Sequence, residues 1–335
     1  MALFKTNAEL ALYYPARMTL DMKDIAQTMD RVENDYLTEQ VLGVQQYQEL
    51  VIAYEAESIV PGDRMDRLLH RCRGVVAHMV AYHFAYLGAV QMTSSGFVVS
   101  TGADGQGVAS DNKVDRLKHE LLTAGFSFLD RCLGFLQANV ADYPLWEAST
   151  YSQRAKGLLR STAQFQAACD IGNSHWFYWR LRTLIERHQN ADGLIAQTLC
   201  SSALYDELVA QSNAGDSFSA ANAKLIAIIR PAIAHLSIAE AVADRSVNKD
   251  ERGIWTYSSS SAGGPIAASE ERLRTWQEYH AKRAAEFVEA LKNKLRELAA
   301  ASQLPLYAAS PCYTAFVATP EETPADPTRM VGSFI

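Results

Sequence analysis

The chain contains itself twice, and no other feature of the sequence constrains the fold as strongly. Tyr47-Gln48-Glu49-Leu50-Val51 returns as Tyr205-Asp206-Glu207-Leu208-Val209, an offset of 158 residues. Arg73-Gly74-Val75-Val76-Ala77-His78 returns as Arg230-Pro231-Ala232-Ile233-Ala234-His235 at 157, and Pro144-Leu145-Trp146-Glu147-Ala148-Ser149 as Pro305-Leu306-Tyr307-Ala308-Ala309-Ser310 at 161. Upstream, Ala8-Glu9-Leu10 faces Ala163-Gln164-Phe165 at 155. Amphipathic helices resemble one another, so each match alone is weak. Four in the same order, at offsets a few residues apart, imply duplication of a unit of roughly 155 residues. Two units are too few for a solenoid, so two similar domains packed side by side are expected.

Periodicity makes each unit mainly α-helical. Met22, Ile25, Met29, Val32 and Tyr36 fall at helical spacing behind Thr19 or Asp21 as cap. A second helix carries Tyr47, Leu50, Val51 and Tyr54 and stops at Pro61-Gly62; Asp63 then caps a third running toward Leu87. Val90-Gln91-Met92-Thr93 and Phe97-Val98-Val99-Ser100 flank Ser94-Ser95-Gly96 and read as a β-hairpin. Asp111 opens a long helix on which Val114, Leu117, Leu121, Phe128, Cys132 and Leu136 share a face. The second copy repeats this plan. Its helices are expected over 174–199, around Leu204 to Val209, over 219–243 and over 270–301, with Gly253 to Tyr257 as strand and a mobile Ser/Gly-rich ribbon over 258–264. The expected fold is therefore mainly α, a tandem duplication of a helical-bundle unit with a short hairpin or ribbon in each. The units span 1–150 and 151–310. Residues 311–335, with Pro311, Pro320, Pro324 and Pro327, form an extended C-terminal arm.

Composition excludes several classes of function. At 335 residues and 48% hydrophobic content, the chain can bury two cores of ordinary size. Thirty-one basic against 38 acidic residues, with no basic run, leave no footprint for a phosphate backbone, so nucleic acid is not an expected partner. Cys72, Cys132, Cys169, Cys200 and Cys312 contain no CxxC pair and read as buried thiols of a reducing cytoplasm. The apolar run from Val75 to Val90 is broken by His78 and His83 and falls short of the ~20 residues of a membrane span. No membrane partner and no signal peptide are expected.

Motifs for catalysis are missing from the sequence. His78 and His83 lie five apart, about 140° around a helix, and there is no HExxH pair. Gly102 to Gly107 fits neither GxGxxG nor a P-loop, and no GxSxG elbow or calcium loop is present. His78 and His235 occupy equivalent positions, where each is expected to bond a carbonyl of a neighbouring helix and fix register. We therefore expect no enzyme activity, no cofactor and no metal. The competing enzymatic reading places a site between the copies, using His78, His235 and carboxylates such as Asp66 or Glu240.

Aromatic side chains point instead to contacts. His175-Trp176-Phe177-Tyr178-Trp179 puts bulky groups all around one helix, more than one core absorbs. They either fill the seam between the copies or form a surface for a partner or peptide. Candidate assembly residues are Trp176, Phe177, Tyr178 and Trp179, Phe97 and Val98 in the first ribbon, Trp255 and Tyr257 in the second, and Tyr313, Phe316 and Phe334 in the arm.

The order of features in each copy resembles the small helical head-to-tail connector (adaptor) proteins of tailed bacteriophages. These features are a helix ending in Leu42-Gly43, Tyr47-x-x-Leu50, then Arg73-x-x-x-Ala77-His78 leading to tyrosines and a strand. The whole chain resembles an uncharacterised family from phages and prophages of Bacteroidetes that shares the double copy and the run Tyr143-Pro144-Leu145-Trp146. That resemblance covers nearly all of residues 1–310, through core and turn positions without a chemical signature. Cys200 stands where a glycine is expected after Leu199, and an extra residue precedes Tyr205. The resemblance implies a virion structural subunit, or a component of a phage-derived contractile tail, assembled in the host bacterial cytoplasm. Its expected partners are copies of itself in a ring and neighbouring portal, neck or tail proteins. The arm from Tyr313 to Ile335 is expected to order against a neighbouring subunit.

Overall fold

The computed structural model describes residues 3–13, 22–87, 90–93, 96–99, 111–245, 248–250, 253–255 and 270–318. The first copy runs α1 (Asn7–Ala11), α2 (Met22–Val32), a π-helical stretch (Glu33–Leu42), α3 (Val44–Glu55), α4 (Arg64–Leu87), β1 (Val90–Thr93), β2 (Gly96–Val99), α5 (Asp111–Ala138), α6 (Pro144–Glu147) and α7 (Thr150–Ala155). The second runs α8 (Thr162–Ala168), α9 (His175–Gln189), α10 (Leu194–Leu199), α11 (Ser202–Asn213), α12 (Ala220–Arg245), β3 (Asn248–Asp250), β4 (Gly253–Trp255), α13 (Glu270–Ala300), α14 (Pro305–Ala308) and α15 (Pro311–Ala318). The order is the same twice, which makes the protein a tandem duplication of a helical unit.

Side-chain chemistry sets many boundaries. Thr6 and Glu9 form a capping box on α1, and Ser149, Ser161, Ser174 and Ser201 each accept a backbone N–H at the start of a helix. Pro144 and Pro305 open α6 and α14, where the missing N–H costs nothing. In each copy the two longest helices pack along one another and are joined by a two-stranded antiparallel ribbon, Val90 opposite Val99 and Asn248 opposite Trp255. The buried face of α4 presents Leu68, Cys72, Val75, Val76 and Met79 to Leu129, Cys132, Leu133 and Leu136 of α5. In α12, Leu225, Ile229, Ile233 and Ile238 meet Ala284, Leu291, Leu295 and Leu298 of α13. By length and composition α12 is apolar enough to cross a membrane, but it is the core helix of its copy, packed on α13, α9 and α8.

Equivalent interactions knit the entering chain onto each copy. Arg73 donates from Nε to the Leu3 carbonyl (2.8 Å) and pairs with Glu9 (2.7 Å); Arg230 donates from Nε to the Leu158 carbonyl (2.8 Å) and pairs with Asp216 (2.6 Å). Lys5 to Glu57 (3.4 Å) is answered by Arg160 to Asp216 (3.7 Å). Glu33 is fully buried, taking the Leu3 N–H (2.7 Å) and the Tyr47 hydroxyl (2.5 Å). Gln189 does part of the same work with an amide: its Oε1 takes the N–H groups of Leu158 (3.0 Å) and Leu159 (2.8 Å), while Tyr205 donates to its main-chain carbonyl (2.7 Å). Burial pushes the Glu33 carboxyl up to about 7, against the pull of these hydrogen bonds.

Several expectations need correction. The helix expected over 174–199 is two, because α9 ends at Gln189 and the chain turns through Gly193, where a Cβ would strike the carbonyls of Arg187 and His188. In the first copy the corresponding stretch stays helical in π form. Leu117 faces outward and is not part of the α5 core face. The arm expected to be extended from residue 311 begins as α15, with Ser310 accepting from Tyr313 N–H (3.4 Å) and Pro311 at its first turn. Residues 319–335 lie outside the described residues, as do 256–269. Finally, Cys200 and Cys312 are not buried thiols but a disulfide, with Cα atoms 6.1 Å apart. Its origin is visible in the first copy. Gly43 and Cys200 both adopt positive φ (75° and 55°), and a Cβ on Gly43 would sit 3.0 Å from the ring of Tyr151, the counterpart of Cys312. The same meeting of helix junction and last helix is made by packing in one copy and by a covalent bond in the other.

Two outcomes follow. The raised Glu33 value means the folded chain holds this proton more tightly than the unfolded one. Its contribution to stability therefore falls as pH rises from about 4.5 to about 7, by roughly 3 kcal/mol in all. Glu33→Gln should melt higher than wild type at pH 8, with the gap closing toward pH 4; an equal or lower melting temperature at pH 8 would contradict this. In protein unfolded without reductant, alkylation should mark Cys72, Cys132 and Cys169 and leave a linked Cys200–Cys312 peptide. Five alkylated cysteines would show the bond is not formed.

Candidate functional site

The helix richest in aromatics, α9, lies in the seam between the copies, against α5 of the first and α12 of the second. His175 Nδ1 meets Asp130 Oδ2 (3.0 Å) and Thr162 Oγ1 (3.1 Å). The Trp179 ring lies 6.4 Å from Phe126 of α5 and beneath the Arg182 guanidinium at 4.4 Å, while Arg182 also reaches the Gln40 carbonyl (3.5 Å). Tyr178 sets its ring edge-on to Phe165 at 6.1 Å. A helix that serves two cores needs apolar groups on both flanks, which is why five bulky residues run in sequence here. Tyr178 and Trp179 are consequently buried inside the molecule and are not available as assembly surface. Trp176 and Phe177 stay partly exposed, with Arg180 over Trp176 at 5.0 Å. The groove beside Trp179 is lined by Glu39, Gln40, Arg154, Arg182, Thr183 and Glu186, so it offers charge rather than an aromatic wall for a peptide.

The other candidate surface residues are scattered. Phe97 and Val98 lie on β2 opposite Met92 and Gln91, and Trp255 on β4. Tyr313 and Phe316 are on α15, with Tyr313 5.7 Å from Tyr307; Tyr257 and Phe334 fall outside the described residues.

The two equivalent histidines behave differently. His78 is buried, stacks on Phe128 at 5.0 Å, and bonds the Gly74 carbonyl of its own helix (2.8 Å), not that of a neighbouring one. Gly74 is needed there because a Cβ would overlap the Phe128 ring. His235 stacks on Phe287 at 5.6 Å in the same way, but its Nδ1 faces Nδ1 of His280 on α13 at 2.7 Å. Both imidazoles are buried. Burial lowers His280 to about 4 and lowers His235 as well, so the pair is neutral and shares one proton between the facing nitrogens. Cys169, in the loop after α8, brings a thiol to the same place: one ligand atom from each of Cys169, His235 and His280 lies within 4.8 Å of the others. The carboxylates considered with these histidines are engaged elsewhere. Asp66 accepts the Gly62 N–H (2.7 Å), and Glu240 pairs with Arg187 and with His188 (3.0 Å). His280 and Cys169 carried no local signal in the sequence. Aligning Phe128 with Phe287 would have found the first, since it puts His280 where the first copy has Leu121.

Fold and seam together define a tandemly duplicated helical protein whose two units share one continuous core. The model of a family of unknown function, DUF6712, matches the chain twice, at residues 34–156 and 195–317, and the protein belongs to that family. No curated protein and no solved structure gives a match. The first family match starts within the π-helical stretch and ends just after α7, and the second starts within α10 and ends within α15.

Because α9 belongs to both cores, wild-type protein should unfold in one thermal transition. Trp179→Ala should cost about 3–5 kcal/mol and separate the transition into two; a single transition at the wild-type temperature would show that the seam does not couple the copies.

Proposed function

We propose that the protein is a structural virion component of a tailed bacteriophage, at the head-to-tail connector, neck or tail-completion position, acting by protein–protein assembly. One observation supports assembly above the rest: exposed apolar side chains recur at equivalent positions. Leu145 and Leu306 are 37% and 36% exposed on α6 and α14, and Leu117 and Trp276 are 45% and 44% exposed on α5 and α13. Single exposed apolar residues need no explanation, but the same residue positions left open twice in one chain fit a subunit that meets its neighbours through both copies.

The ribbons support the same reading. A two-stranded sheet is marginally stable by itself in water, and each described sheet stops at two strands, with edges that a neighbour's strand can extend. The phage assignment rests on the order of helix, Leu-Gly junction, Arg-x-x-x-Ala-His helix and strand that resembles connector proteins. Its partners would be further copies in a ring, with portal, neck or tail proteins above and below, in a virion assembled in the host bacterial cytoplasm.

Light scattering and negative-stain electron microscopy across a concentration series provide the test. Wild type should form closed rings as concentration rises, and the Leu145→Asp/Leu306→Asp double variant should need at least about tenfold more protein to do so, a shift of about 1.4 kcal/mol. Single chains at every concentration, or rings formed equally well by the variant, would overturn this assignment of the surface.

A further inference from the structure

We propose that Cys169, His235 and His280 form a binding site for one transition-metal ion, with zinc the expected occupant. Three separate segments converge to make it: the loop after α8, the middle of α12 and the first half of α13. None of the three is close to another in sequence, so the juxtaposition is a product of the fold. One thiolate and two imidazoles are a borderline-soft donor set, suited to zinc and unsuited to calcium or magnesium, which take oxygen ligands.

The geometry is near what such an ion requires. Zinc held at about 2.0–2.1 Å by two imidazoles in a tetrahedral site sets the nitrogens about 3.3–3.4 Å apart. The facing Nδ1 atoms are 2.7 Å apart, so they must open by roughly 0.6 Å, and Cys169 sits in a loop that can follow. Both imidazoles are oriented by aromatic neighbours. His235 stacks on Phe287, while His280 is held by Trp276 at 4.8 Å and Tyr279 at 5.1 Å, both edge-on. Such outer contacts fix ring planes, as metal sites need.

The first copy supplies an internal control. There the fold is satisfied by Leu121 at the position of His280, and His78 turns to a carbonyl of its own helix. A second imidazole is therefore not needed to build this core, and its presence in the second copy adds a ligand. On loading, the thiol of Cys169 loses its proton to solvent and the proton shared by the two Nδ1 atoms moves to Nε2 of the ring that carries it. The ion then bonds sulfur and both Nδ1 atoms, and a tetrahedral ion keeps one position for a ligand beyond these three. The ion would clamp the α8–α9 loop to both long helices of the second copy.

Titration of the chelator-treated full-length protein with Co²⁺ alone decides the matter. One equivalent should give a thiolate-to-cobalt charge-transfer band in the near ultraviolet and the visible bands of a four-coordinate ion, and Zn²⁺ should displace both. Cys169→Ser, at a partly exposed loop position, should keep the wild-type circular dichroism and lose the charge-transfer band. His280→Leu, which installs the residue of the first copy, should weaken binding by at least about tenfold. A wild-type spectrum equal to that of free Co²⁺, or variants that bind with wild-type spectrum and affinity, would overturn the proposal and leave a hydrogen-bonded histidine pair.

Discussion

An arginine in the middle of a long, mostly buried helix must find acceptors, and where it finds them decides how the rest of each copy closes. Arg73 and Arg230 solve this alike, each donating to the carbonyl of the segment that enters its copy and pairing with one carboxylate. A guanidinium left unpaired there would carry a large desolvation penalty, so the entering segment is held where the arginine is. With Leu3 or Leu158 fixed, Glu33 or Gln189 can take the neighbouring N–H groups, and the tyrosine of the next helix closes the set. The entering strand, the second helix and the two long helices are thereby locked in one relation, used twice.

Duplication has preserved these positions more faithfully than their chemistry. A buried carboxylate became an amide, or the reverse: the side chain still takes the entering N–H, while the tyrosine hydroxyl goes to the carboxylate in one copy and to the main-chain carbonyl in the other. Glu9, which completes the first arginine's pairing, has Gln164 as its counterpart, and the charge moved to Asp216, which Gln164 itself contacts at 3.0 Å. A glycine against a tyrosine ring in one copy is a disulfide in the other. Leu121, buried in the first copy, is matched by His280 in the second. Each exchange keeps a contact and changes what the contact can do, which is how two copies of one fold come to differ in redox and metal-binding capacity.

These relations also explain what could be read from residues alone. The duplication was legible because Tyr47/Tyr205, Arg73/Arg230 and Pro144/Pro305 are anchors whose replacement would break a closed hydrogen bond, a pairing or a helix start. The helices other than the one expected over 174–199, and the first ribbon, followed from periodicity, whereas the second ribbon, expected near 253–266, pairs Gly253–Trp255 with Asn248–Asp250, upstream of that stretch. Of the two places left open for the aromatic run, the seam takes Tyr178 and Trp179. What escaped was set by long-range geometry. Nothing local distinguishes Glu33–Leu42 in π form from an ordinary helix, or marks the turn at Gly193 that replaces it. Cys200 and Cys312 are 112 residues apart, and His235 and His280 45. Only laying one copy over the other shows that Cys200 and Cys312 stand on Gly43 and Tyr151, and His280 on Leu121. Leu117 was misplaced because a helical stripe five turns long drifts around the axis and leaves the core before it ends.

The central claim is that both copies close around the same core by the same contacts, and amide hydrogen exchange of the full-length chain measures this directly. Val75–Ala81 of α4 and Ala232–Ile238 of α12 should be the slowest-exchanging segments of their copies and should open with similar free energies. Exchange of either segment at the rate of the loops around it, while the other stays protected, would show that the copies are not built on one plan.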